Sequence, residues 1–171
     1  MKYCIKRFIV FCMLVLFYSC KDEDLMIERI PYSGNELRID GYYYRHPNPD
    51  NTKVLFFYRN GVMINILRYF PTTDLTVVDK NLPDRYAELK NDKLSFQVFI
   101  IKGSTIQYSG WGTSTGSGRP SFKSIGTIEN DTTFRIIKTI NSRKGQEFEK
   151  NDVYHFRQFS LKPDSTNNFI P

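Results

Sequence analysis

Asn60-Gly61 stands between two apolar runs, residues 54–59 and 62–70. Asn-Gly suits a type I′ turn, in which both central residues need positive φ and the backbone twist matches that of the strands it joins. The dipeptide therefore predicts a tight antiparallel hairpin. The flanking chain continues in the same style. Residues 37–45 alternate, with Leu37, Ile39, Gly41 and Tyr43 on one face and Arg38, Asp40, Tyr42 and Tyr44 on the other, as a half-buried strand does. Residues 46–51 hold Pro47, Pro49, Asn48, Asp50 and Asn51, a loop composition. Residues 94–101 and 105–111 are strands about a Lys102-Gly103-Ser104 turn. Residues 122–128 and 133–140 flank a second tight turn at 129–132, and residues 153–159 form a last strand after a polar loop over 141–151. A Gly/Ser-rich loop spans 112–120, and the tail 160–171 carries few strand formers.

The stretch 71–93 is the one long connection. Pro83 and Asp84 come early and Lys90 late in residues 83–90, an order that suits a short helix with its dipole complemented. Eight strands on mostly short links are antiparallel neighbours, and they close into a barrel or split into a sandwich. The meander order, and the removal of open edges by closure, favour an all-β, eight-stranded antiparallel up-and-down barrel with one short helix.

The first residues carry a different message. Lys2, Lys6 and Arg7 precede an apolar run over residues 8–17. That run is shorter than the roughly 20 residues a membrane-crossing helix needs, and it has the layout of an export signal. Leu16-Phe17-Tyr18-Ser19-Cys20 resembles the lipobox of bacterial lipoproteins, and the following Lys21-Asp22-Glu23-Asp24 resembles the surface-export signal of the Bacteroides–Flavobacterium group. The resemblance implies a signal peptide over 1–19, a lipidated Cys20, and an outer-membrane anchor with the protein facing the cell exterior; charge, Pro31 and a Ser33-Gly34-Asn35 turn make 20–35 a tether, and the strand pattern makes 36–171 the barrel domain.

Cleavage there would change the composition that matters. The chain has 24 Lys and Arg against 18 Asp and Glu. Losing the three cations of the leader leaves a net of +3, with no basic cluster that would track a phosphate backbone, so nucleic acid is not an expected partner. Cys4 and Cys12 leave with the leader and Cys20 is taken by lipid, so thiol chemistry and Cys-ligated metal are not expected either. No cofactor is implied.

The strand count and size resemble the lipocalin-like (calycin) barrels over residues 36–160. Gly126 to Phe134 resembles the late hairpins of the fatty-acid-binding type, and Arg157-Gln158-Phe159 their Arg-x-Tyr. The resemblance implies non-catalytic binding of a small apolar or amphipathic molecule, or of a glycan fragment. Candidate contacts are Tyr43, Phe56 and Tyr58 from an aromatic concentration, and Trp111 and Arg119 flanking the Gly/Ser loop, since Trp and Arg concentrate binding energy. Arg135 and Arg157 sit within strands and would hold a ligand carboxylate if they point inward. Asp131-Thr132-Thr133 and Asp164-Ser165-Thr166 resemble the O-glycosylation acceptor of the same bacterial group, with Thr132 and Ser165 as acceptors.

Two other readings compete. A structural or adaptor subunit of an outer-membrane assembly would show an exposed aromatic patch. An enzyme is not expected: His46 and His155 are isolated, and no nucleophile elbow or His-Glu-x-x-His is present. Carboxylates alone can hydrolyse glycosides, which leaves Asp40, Asp79 and Asp84 as that reading's residues.

Overall fold

The computed structural model describes residues 21–114, 116 and 118–170; Cys20 and the segment 1–19 lie outside them. Eight strands run β1 Gly41–Asn48, β2 Asn51–Phe57, β3 Val62–Phe70, β4 Phe96–Lys102, β5 Thr105–Trp111, β6 Ser121–Asn130, β7 Thr133–Asn141 and β8 Gln146–Gln158. Each pairs antiparallel with the next, and β8 returns to β1 to close the barrel. One α-helix, α1 Leu75–Leu89, lies between β3 and β4.

The Asn60-Gly61 hairpin forms, but with a different turn. Gly61 N–H donates to Tyr58 O at 3.0 Å, and Tyr58 N–H to Val62 O at 3.0 Å. Within this turn Gly61 alone takes positive φ (+80°), and among the described residues no non-glycine does. This is the arrangement of a type I turn followed by a glycine bulge, rather than I′. The extra loop residue spares Asn60 the left-handed conformation.

Several boundaries differ from the sequence expectation. β1 starts at Gly41, and the 46–51 loop shrinks to a tight turn in which Asn48 pairs with Asn51. β8 begins at Gln146, inside the expected polar loop, because 142–145 turn tightly and Asn141 pairs with Gln146. Its first residues are exposed, so no apolar alternation marked them as a strand. Helix α1 starts eight residues before Pro83, which sits within it. Asp74 caps its start, accepting from Thr76 N–H at 2.8 Å.

Aromatics on both faces of β1 and β2 create two cores. Inside the barrel, Tyr43, Leu55, Phe57, Met63, Phe99, Ile106, Phe134 and Tyr154 pack together with Tyr32 and Leu37. Phe57 meets Phe99 edge-on at 4.9 Å between centroids, and Phe134 stacks on Tyr154 at 4.9 Å. On the outer wall, Tyr42, Val54, Phe56, Ile64, Phe96 and Val98 are buried beneath Val78, Leu82 and Leu89 of α1, with Phe159 and Ile170 of the tail. Asp79 of α1 fastens this cover: it accepts from Tyr42 Oη at 2.7 Å and from Arg157 at 2.5 to 3.2 Å.

Residues 21–35 lie along the wall. Glu23 N–H donates to Arg119 O and Met26 N–H to Ser109 Oγ. Leu25 and Ile27 pack on the outer core. Tyr32 then turns in under the barrel, where its hydroxyl accepts from Leu37 N–H at 2.9 Å. This end is filled; the opposite end is open.

Candidate functional site

The open mouth lies where β1, β3, β5 and β7 finish and β2, β4, β6 and β8 begin. Strand alternation carries inward positions from the apolar core up to it. Above Tyr43 comes Arg45, above Leu55 comes Lys53, above Met63 comes Asn65, and above Phe99 comes Gln97. These four, with Tyr108, Ser124, Asp152, Tyr154 and the rim residues Tyr69, Trp111 and Lys150, line a pocket of about 320 Å³. The interior therefore divides across its length into an apolar floor and a polar mouth.

Its polar groups fall into two sets. Arg45 is satisfied: its guanidinium lies 3.2 Å from Asp152 and donates to Tyr154 Oη at 3.2 Å. Ser124 and Thr139 share a hydrogen bond of 2.9 Å. By contrast, Asn65 Oδ1 and Gln97 Oε1 are buried with no hydrogen-bond partner among the described residues. Gly110 makes room for Gln97, since a Cβ there would lie 2.5 Å from Gln97 Cγ. Lys53 faces Arg45 directly across the β1–β2 pair. Burial, and secondarily the Arg45 charge, push the Lys53 amine down to about 8. Burial likewise pushes the Tyr108 phenol up to about 12, so it stays a neutral hydroxyl at the wall.

Lys162 shows what a satisfied buried lysine looks like here. Burial also lowers it to about 8, yet its ammonium donates to Ile39 O at 2.7 Å and to Phe57 O, and lies 4.0 Å from the Tyr58 ring centre. It ties the tail to the closed end of the barrel. Lys53 has no such partners.

Of the residues singled out from sequence, only Trp111 reaches the mouth. Its indole Nε1–H donates to Glu23 O at 2.8 Å, and Lys93 Nζ lies 3.9 Å from its ring centre. Arg119 is held beside it, its backbone N–H donating to Asp22 Oδ1 at 2.9 Å and its guanidinium 3.5 Å from the same carboxylate. Trp111 also borders a more apolar groove of about 490 Å³ with Leu25, Ile27, Val98, Phe169 and Ile170.

The others lie elsewhere. Tyr43 belongs to the packed floor, its hydroxyl donating to Asp131 O at 2.8 Å. Phe56 is buried under the helix on the outer wall, and Tyr58 Oη donates to Pro163 O of the tail at 2.6 Å. Arg135 points outward to Glu129 at 2.8 Å, and Arg157 is the partner of Asp79. Thr132 sits on the β6–β7 turn, its hydroxyl donating to Asn130 at 2.7 Å. Ser165 is 9% exposed and accepts from Asn60 Nδ2 at 3.0 Å. Among the described residues, no three His, Cys, Asp or Glu side chains converge to hold a metal ion.

The mouth cluster is hard to read from sequence because its members are spread over most strands of the barrel. One signal was available: Arg45 and Lys53 share the parity of Tyr43 and Leu55 on either side of one turn. Comparison with protein-family models, with curated proteins and with solved structures returns no match.

Proposed function

We propose that the chain is a lipoprotein, anchored in the outer membrane through lipid on Cys20 and facing the cell exterior, whose barrel binds a small ligand without transforming it. The ligand occupies the mouth. The observation that carries this reading is the pair of buried, unpartnered acceptors, Asn65 Oδ1 and Gln97 Oε1. A buried carbonyl oxygen left unpaired costs about 1–3 kcal/mol, and a hydroxyl donated by a ligand would recover it. Between the two ligand chemistries that the barrel resemblance implies, the polar lining favours a glycan fragment over a fatty molecule. A volume of about 320 Å³ falls at the small end of ligand pockets, which run from about 300 to 1,000 Å³.

The N-terminal contacts fit this reading. Asp22 pairs with Lys93 at 2.8 Å at the mouth end, and Glu23 with Arg143 at 2.7 Å. Cys20 is two residues before Asp22 in the sequence. Lipid there would hold the mouth near the bilayer.

Trp111 is the only tryptophan in the chain, so its fluorescence reports on the mouth. Titration with neutral and acidic mono- and disaccharides should shift its emission, and Ser124→Phe, which fills the pocket without adding a second indole, should abolish saturable binding. Native mass spectrometry finding a fatty-acid adduct instead, retained in Ser124→Phe, would overturn this reading. Loss of a metabolically incorporated palmitate label in Cys20→Ala tests the anchor.

A further inference from the structure

The mouth carries a charge arrangement that the protein itself leaves unbalanced. Arg45 and Lys53 are directly opposed on β1 and β2, and both are among the side chains lining the mouth. Like charges directly across a strand pair are destabilising, and here both point into the barrel rather than into bulk water. Lys150 of β8 adds a third cation at the rim, and Asp152 is the only acid among the described residues lining the pocket. Asp152 is already committed to Arg45. Among the described residues Lys53 makes no hydrogen bond or ion pair, although the nearby Asp152 carboxylate favours its charge, whereas the less deeply buried Lys162 has two carbonyls and an aromatic ring. The same pocket presents Asn65 Oδ1 and Gln97 Oε1 as acceptors without donors. A ligand that completes both deficits brings a negative group for Lys53 and hydroxyls for the amide oxygens.

We infer that the mouth is a seat for an acidic sugar, whose carboxylate lies between Lys53 and Arg45 and whose hydroxyls donate to Asn65 and Gln97. This rests on the reading of the mouth as the ligand site. Charge-assisted bonds to a carboxylate are shorter and stronger than neutral ones, so the anionic group supplies affinity, and the two acceptors discriminate hydroxyl-rich molecules from simple fatty acids. The pH dependence follows from the groups facing Lys53: Arg45 from β1, Tyr69 from β3, Tyr108 from β5, and Lys150, Asp152 and Tyr154 from β8. Arg45 stays charged throughout, and burial keeps the Tyr108 and Tyr154 phenols neutral across this range. Lys53, lowered to about 8, is the group that loses its charge as pH rises from 7 to 10, so affinity for the acid falls across that range.

The test uses the full-length chain in mild detergent, with Trp111 emission as the readout. Its probes are galacturonic and glucuronic acids, as mono- and disaccharides, each beside its methyl ester. The acids should bind at least tenfold more tightly than their esters. Lys53→Met should remove that tenfold preference by weakening binding of the acids far more than binding of the esters. Asp152→Asn, which withdraws the competing carboxylate, should tighten binding of the acids several-fold. Opposite responses of two neighbouring substitutions separate a charge effect from misfolding. Esters binding as tightly as acids, or Lys53→Met without effect on the acids, would overturn the anion seat and leave the mouth as a neutral-sugar site. If no probe shifts Trp111 emission, the anion seat is wrong; if native mass spectrometry also finds no adduct in freshly purified protein, the ligand site falls with it.

Discussion

Replacing Lys53 by Met should make the free protein more stable, although it removes a charged residue from a soluble-looking site. Met keeps the unbranched stem and discards the ammonium. The shift of Lys53 from 10.5 to about 8 means that the folded state disfavours the charged form. At about 1.4 kcal/mol per pKa unit the whole shift corresponds to about 3 kcal/mol. The mouth is open and water screens part of that, which brings the expected gain to about 1–3 kcal/mol. For a chain of this size the gain corresponds to a rise of roughly 3–8 °C in melting temperature. The pH dependence is the sharper readout. Because the folded-state value is depressed, the destabilisation is fully present below pH 8 and disappears as pH rises from 8 towards 10.5. Denaturant unfolding of both proteins between pH 7 and 10 should therefore show an advantage for Lys53→Met that shrinks with pH. Comparing the two cancels Lys162, which shifts in the same direction, and the buried tyrosines. A variant less stable than the parent at pH 7, or an advantage constant to pH 10, would refute the claim that Lys53 is an uncompensated cation.

Other changes address the elements that hold the barrel's cover and seam. Asp79→Ala deprives Tyr42 and Arg157 of their shared acceptor and should cost about 1–2 kcal/mol, measured by urea unfolding, with increased amide exchange in α1. Gly41→Ala places a Cβ 2.0 Å from Arg157 O on the closing strand; backbone must move, so a loss of at least about 2 kcal/mol is expected, with exchange rising along the β1–β8 pair. Glu23→Ala removes the partner of Ser142 and Arg143. It should expose residues 21–30 to proteolysis while leaving the melting temperature of the barrel nearly unchanged.

Much of the architecture was legible because strands and turns are local properties. Gly61 and Gly103 fall where turn chemistry places them, the expected turn at 129–132 narrows to 131–132, and β3 and β5 have the expected limits. What failed to show was context. Residues 54–57 are apolar at every position, so nothing in them says that Val54 and Phe56 belong outside and Leu55 and Phe57 inside. Pro83 reads as a helix start, yet Val78 and Leu82 bury against the wall and carry the helix through it. Residues 146–150 hold a single apolar side chain, Phe148, among four polar ones, and only their pairing with β7 makes them a strand.

Sequence alone determined that this chain alternates, turns often, and meanders into eight antiparallel strands, because period-2 patterning and turn residues act over a few neighbours. Closure of the barrel decided everything that depends on inside and outside. It sent Phe56 and Arg157 to a wall covered by α1, packed Tyr43 into a solid floor, and lifted Arg45, Lys53, Asn65, Gln97 and Asp152 from separate strands into one mouth. Arg45 and Lys53 are opposed through the β1–β2 pair, but Asp152 joins them only when β8 meets β1.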